Sequence, residues 1–210
     1  MFKSNLFNDH TSISKEIENF LKNKSWDSFL FELPYGTFIV GGFIRDIILG
    51  RTEEKPDIDL VVPMDPLIIA EELINKFTGK VVVLDKKRNI VRIVFEEIIL
   101  DIAEQRGESL IYDLSSRDFT INSIAFSLDS FKIIDPFDGI NDLKKGLIRT
   151  QTFKNLLDDP LRILRCFRFI SELDFTVEKS LLEFIMINKN KLNSVSGERI
   201  QYELKKIFNG

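Results

Sequence analysis

Residues 57–62 read Asp-Ile-Asp-Leu-Val-Val, and no other stretch constrains the fold of this chain as strongly. Successive side chains of a β-strand point to opposite faces. Ile58, Leu60 and Val62 therefore share one face, and Asp57 and Asp59 share the other. The apolar face requires a covered sheet. The acidic face sets two like charges side by side, and each raises the other's pKa unless a cation lies close by. A strand that merely begins in solvent shows the same pattern, so the pair alone leaves both readings open. Mg2+ is the cation that suits such donors, because it takes hard oxygen ligands, usually one or two carboxylates plus substrate phosphates. Carboxylates held this way are a base for two-metal phosphoryl or nucleotidyl transfer.

The neighbouring residues bear on that choice. Gly41 and Gly42 follow the apolar run 37–40 and open a helix expected over 43–49, which Gly50 stops. Glycine there lets a phosphate approach the backbone, and a helix start favours anions. Arg45 falls in the first turn of that helix. A tight turn with no ligand explains the glycines but not the Asp pair about fifteen residues later. Asp101, in "IILDIAEQ", is a third candidate carboxylate, as a metal ligand, as a general base toward a 3′-hydroxyl, or as a plain strand residue.

Periodicity predicts further strands over 80–84, 90–95, 98–103 and 131–134, and helices over 15–22 and 66–77. Residues 119–126 fit either pattern, with helix favoured. Beyond about residue 150 the stretches "DDPLRILRCFRFISEL", "VEKSLLEFIMINKNKL" and "SGERIQYELKKIF" are all helical by period. The expected fold class is α+β, a small mixed sheet flanked by helices, followed by an all-helical segment.

Charge divides along the same line. Residues 142–210 carry 13 Lys+Arg and 9 Asp+Glu, a net of +4, against −8 for the rest. An acidic first part suits metal holding and a basic second part suits anion contact; solvated faces of chance composition would look alike. Cys166 is the only cysteine, which excludes an intrachain disulfide and fits a reducing cytosol. His10 is the only histidine, which argues against His-based triads and zinc sites. No apolar run approaches the roughly 18 residues of a membrane span, and the first twenty residues lack a signal-peptide pattern.

Five segments in order, "GGFIRD…DIDLVV", "RDFTINSIAF", "DPFDGINDL", "DDPLRILRCFRF" and "ERIQYELKKIF", resemble bacterial class II tRNA nucleotidyltransferases. These are the CCA-adding enzymes and their poly(A) polymerase relatives, in the DNA polymerase β superfamily. The resemblance covers roughly residues 38–208. It implies a nucleotidyltransferase catalytic head over 1–148 and a helical, nucleotide-selecting neck over 149–210, with the family's body and tail domains absent. It also implies Mg2+ held by Asp57 and Asp59, with Asp101 completing the catalytic acids. Gly41, Gly42 and Arg45 would contact the triphosphate, and Arg117, Asp118 and Asn122 of "RDFTIN" the nucleotide, with Asp118 near the ribose. Asp159, Arg162, Arg165 and Arg168 match the neck motif for base and phosphates. Asp135 and Gly139 match a hinge-like pattern, and Glu198 and Arg199 the last neck motif. Two departures stand out: Ser116 replaces the first of two arginines usual before Asp118, and Asp158 replaces a usual glutamate.

The neck motif also has a physical reading. Asp159 and Arg162, three apart on a helix, share a face. A carboxylate accepts and a guanidinium donates. Cytosine and adenine each pair an exocyclic amine with a ring-nitrogen acceptor, and uracil and guanine present the reverse. Each unsatisfied buried group costs roughly 1–3 kcal/mol, so one helix can act as a protein template for C and A. A helix-start salt bridge is the plainer alternative. The implied reaction is attack of a tRNA 3′-hydroxyl on the α-phosphate of CTP or ATP, in the cytoplasm. The short segment 103–116 resembles enzymes that add only two cytidines, which favours CC addition. Full CCA addition, poly(A) synthesis and an inactive nucleotide- or RNA-binding module are the alternatives.

Overall fold

A computed structural model gives the fold and describes residues 9–22, 24, 27–51 and 53–209. The reading of the first residues as carrying no signal peptide falls partly on 1–8, outside the described residues. By internal contacts the chain divides into two compact units: the described residues up to Leu114 with Ile124–Pro136, and Ser115–Ser123 with Phe137–Gly210.

The first unit contains α1 (His10–Lys22), α2 (Asp27–Phe31), β1 (Phe38–Val40), α3 (Gly42–Ile48), β2 (Asp57–Val62), α4 (Pro66–Lys76), β3 (Lys80–Asp85), β4 (Ile90–Val94), β5 (Ile99–Glu104), α5 (Leu110–Ser115), β6 (Ala125–Ser127) and β7 (Ile133–Ile134). Its seven-stranded sheet has the order β3-β4-β5-β2-β1-β6-β7. The β2–β5 pair is parallel and every other pair antiparallel.

Alternation decides which face meets the core. Ile58, Leu60, Val62, Val91, Ile93, Leu100 and Ile102 are buried, each worth roughly 1.5–3 kcal/mol of transfer free energy. α4 packs on β3, β4 and β5. Asp65 fixes its start by accepting from Leu67 N at 2.9 Å, with Pro66 in the first turn. α1 buries Ile13, Ile17 and Leu21 at helical spacing. Its Ser14 Oγ accepts from Ile133 N at 3.0 Å, which ties the helix to β7.

The second unit contains a 3₁₀ turn (Thr120–Asn122), α6 (Gly139–Lys145), β8 (Leu147–Ile148), α7 (Lys154–Asp158), α8 (Leu161–Leu173), β9 (Thr176–Val177), α9 (Lys179–Asn188), a 3₁₀ segment (Lys189–Ser194) and α10 (Gly197–Asn209). α8 buries Ile163, Cys166, Phe169 and Leu173 and packs on α10. Asp174 ends α8 in the left-handed conformation (φ 56°), which Asp tolerates better than most residues. The helical stretches expected beyond residue 150 are α8, α9 and α10; the short helix α7 and the parallel β8–β9 pair are additions, and β9 breaks the all-helical expectation.

The helix favoured over 119–126 is not formed. The segment makes one 3₁₀ turn and then strand β6. Ala125, Phe126 and Ser127 pair with Val40, Ile39 and Phe38 of β1. Without that pairing, buried backbone groups of β1 would lack partners, and this tertiary demand overrides local periodicity. The strand expected over 131–134 shortens to Ile133–Ile134, because Phe131 turns through φ 52°.

Candidate active site

The acidic face lies in the first unit. Asp57 and Asp59 point away from the buried face of β2 and are exposed. In the parallel ladder Asp59 lies opposite Asp101 of β5, and in the next ladder Asp101 lies opposite Arg92 of β4. Same-face neighbours across a sheet lie within reach of one another. Arg92 Nε and Nη2 each donate to an Asp101 oxygen at 2.7 Å, and Nη2 also donates to Asp57 Oδ2 at 3.2 Å. The hydrogen bonds from Arg92 to Asp101, opposed by partial burial and reinforced by the charges of Asp101, Asp57 and Asp59, hold the guanidinium well above the usual arginine range.

Among the described residues no three His, Cys, Asp or Glu side chains converge as a ready-made metal cage. Asp101, expected to complete an acidic triad, spends both oxygens on Arg92. Asp57 and Asp59 remain a pair of hard oxygen donors on one exposed strand face. That set fits a small divalent ion whose other ligands come from water and substrate phosphates.

Gly41 adopts φ 77°, ψ −137°, a region that suits glycine. Its N–H donates to Ile124 O at 3.3 Å. A Cβ on Gly42 would lie 3.4 Å from Arg45 Nη2, in contact with that guanidinium. Arg45 is buried and donates from Nε and Nη2 to Asp46 at 2.9 and 2.8 Å.

The residues expected to select the nucleotide lie in the second unit. Asp118 is 5% exposed. Its Oδ1 accepts from Phe119 N (2.8 Å) and Asn122 Nδ2 (3.0 Å), and its Oδ2 from Arg165 Nε (2.7 Å) and Nη2 (2.6 Å). Burial alone would raise this carboxyl; the Arg165 and Arg162 charges and the Asn122 amide outweigh it and hold Asp118 well below the usual carboxylate range. Buried in this way, Asp118 orients Arg165. Asn122 is buried beside it as a partner of Asp118. Asn155, which sequence reasoning passed over, donates to Ser115 O and Arg117 O at 2.7 and 2.6 Å and so fixes the backbone leading into this turn.

Asp159 stands before α8 in extended backbone (φ −138°, ψ 93°), so it is not on the helix whose face it was expected to share with Arg162. Its Oδ1 accepts from Leu161 N at 3.3 Å and its Oδ2 from Arg199 Nη2 at 2.9 Å. Partial burial works to raise its pKa, but the Arg199 hydrogen bond and charge outweigh it and hold the group below the usual carboxylate value, an ionised acceptor. Arg162 Nη1 donates to Ser116 O at 2.8 Å. Asp159 is thus clamped by α10, and Arg162 by the residue that stands where an arginine is usual.

Arg168, matched by resemblance to the motif for base and phosphates, faces inward. It is buried, 3.2 Å from both Glu203 oxygens, and lies over the Phe169 ring. Burial, then the Arg165 charge, lowers its pKa against the pull of Glu203 and Glu172. Glu203, 2% exposed on α10, is a second residue that the sequence did not mark, since it sits among surface-type residues of a basic helix.

A CC-adding tRNA nucleotidyltransferase of Synechocystis sp. is 40% identical over 171 aligned positions, covering 81% of this chain and 41% of that protein. A CCA-adding enzyme of Lactobacillus johnsonii is 33% identical over 194 positions, covering 84% and 47%. Among solved structures, the complex of a CCA-adding enzyme with CTP superposes with a TM-score of 0.82 at 33% identity, over 94% of this chain and 51% of that one. The chain therefore spans about half the length of the relatives it matches. Residues 37–149 match the family described as Poly A polymerase head domain, more than half of the 210 residues, and the chain belongs to that family.

Proposed function

We infer that this chain is the head and neck of a template-independent tRNA nucleotidyltransferase that adds C, favouring CC addition, to tRNA 3′ ends in the cytoplasm. The observation that carries the reading is the exposed Asp57–Asp59 pair on a strand of a polymerase-head sheet. The family implies a divalent metal, and Mg2+ is the ion the two carboxylates suit. When bound, it lowers the pKa of the attacking hydroxyl and neutralises charge on the transferring phosphoryl group.

The remaining work falls to side chains. Asp57 and Asp59 hold the ion. The Gly41–Gly42 turn follows β1, the sheet neighbour of β2, and with Arg45 of α3 serves the triphosphate. In the neck, over 149–210, Asp159 accepts from an exocyclic amine and Arg162 donates to the adjacent ring nitrogen, which suits C and A. Arg165, oriented by Asp118, serves the incoming phosphates, and Arg117 the nucleotide. Asp101 and Arg168, each held in an ion pair, support these groups.

Chain length supports CC addition. The alignment with the Synechocystis protein spans 171 positions over 81% of 210 residues, about 170, so this chain has almost no gaps in it. The Lactobacillus enzyme spans 194 positions over 84%, about 176, so it carries about 18 residues that this chain lacks. The segment 103–116 is compact: β5 runs to Glu104, α5 starts at Leu110, and only 105–109 lie between. Asp113 Oδ1 accepts from Arg106 N at 3.2 Å and closes that turn. So short a connection leaves little chain for resetting a template from cytosine to the larger adenine.

The test is incubation with tRNA ending at the discriminator base, with each labelled nucleotide singly and with CTP plus labelled ATP together. Two C additions from CTP and none of A are expected, and Asp57→Ala or Asp59→Ala should remove incorporation by at least about 1,000-fold with the fold intact. Efficient A addition after two C would refute CC specificity; wild-type turnover by both Asp variants would refute the metal assignment.

A further inference from the structure

Arg92 stands out because one nitrogen serves two carboxylates. It holds Asp101 through two bonds of 2.7 Å, a bidentate grip on a side chain 16% exposed. It holds Asp57 through a single bond of 3.2 Å, and that side chain is 51% exposed. The two contacts are unequal in number, length and solvation. The Asp101 bonds are the stronger kind, and the Asp57 bond is open to competition from water and ions.

Register makes this arrangement a property of the sheet. Arg92 and Asp101 are direct cross-strand partners, Asp101 and Asp59 are direct partners, and Asp57 lies two residues before Asp59 on the same face. Three acids and one base therefore occupy one patch. The Asp101 carboxylate points its two oxygens at the guanidinium, and Asp57 and Asp59 present theirs on the exposed face of β2.

We propose that Arg92 is a built-in counter-ion of the acidic patch, permanently bonded to Asp101, and that a divalent ion binds by displacing its Nη2 from Asp57. The proposal rests on the reading of Asp57 and Asp59 as metal ligands. It makes Arg92 a positioning residue and Asp101 its anchor. A fixed cation beside the site weakens metal binding when no triphosphate is present. The triphosphate's own negative charge offsets this, so the ion binds well only together with the nucleotide.

The experiment is titration of the chain with Mn2+ alone, read by the EPR signal of free metal, on wild type, Arg92→Met and Arg92→Lys. Methionine keeps the length without charge, and lysine keeps the charge without the bidentate grip. Arg92→Met should bind Mn2+ at least about tenfold more tightly than wild type, because a unit charge a few ångströms away is removed. Arg92→Lys should fall between the two, and the gap should narrow in high salt. Thermal unfolding of each variant checks the fold, and the lysine variant carries the test if the methionine variant is unstable. Equal or weaker Mn2+ binding by both folded variants would overturn the proposal. Saturable binding in wild type that survives Asp57→Asn unchanged would overturn the metal reading beneath it.

Discussion

Asp118 is a carboxylate with almost no solvent, gripped by Phe119 N, Asn122 and both reachable nitrogens of Arg165. Its folded pKa lies below its unfolded value of about 3.8, so the stability it contributes is present above that value and is lost only as pH falls through the folded one. Asp118→Asn removes the charge and leaves Arg165 opposed only at distance. Breaking such a pair by one partner costs about 3 kcal/mol. Urea unfolding should show that loss unchanged from pH 8 to pH 5 and shrinking below pH 4. A second expectation concerns Cys166, whose thiol is pushed up to about 12 by burial and then by the Asp118 charge. It should stay unreacted with a thiol reagent in native protein at pH 8 and react at once in denaturant. Residues differ in how plainly the sequence announces them. Asp57 and Asp59 are legible because strand alternation alone exposes them. Arg92 stands as openly in "IVRIV", yet its meaning needs the register that puts it opposite Asp101. The burial of Asp118 was not legible, because Arg165 lies 47 residues along the chain.

At the scale of elements, α8 and α10 form a charged seam inside the second unit. Arg168 and Arg165 on α8 both face Glu203 on α10, at 3.2 and 3.9 Å. Removing Glu203 leaves the buried Arg168 with Glu172 at 3.5 Å as its remaining counter-charge, whereas charges of both signs together largely cancel. Glu203→Ala should therefore lower stability by about 3–5 kcal/mol, and Glu203→Gln by less, as read by calorimetry or urea titration. Helices α8 and α10 were legible from their 3.6-residue period. The seam was not, since period places a face but does not say which polar residue turns inward. The short helices α5 and α7 also escaped, with five or six residues each and too little chain to show a period. The segment 119–126 misled for another reason: its pattern fits a helix, and the demand of β1 for a partner decided otherwise.

At the scale of the whole molecule, the division into two units passes through the chain three times, after Leu114, after Ser123 and after Pro136. The last passage falls between Asp135 and Gly139, the hinge-like pattern of the sequence. Neither unit is one continuous stretch. A fragment ending at residue 136 would keep 115–123 but lose Arg165 and Phe169, against which Asp118 and Phe119 rest. Such a fragment should give a poorly dispersed amide NMR spectrum for that strip, while the core around β2 and β5 persists. Few sequence patterns announce a unit assembled from separated pieces, because period and composition are local. The same threading governs what can be recombined. A chimera joined only at residue 148 would inherit the strip 115–123 from one parent and the helices that hold it from the other. Exchange of the intact second unit between two parents calls for a two-cassette transplant, with 115–123 travelling together with 137–210.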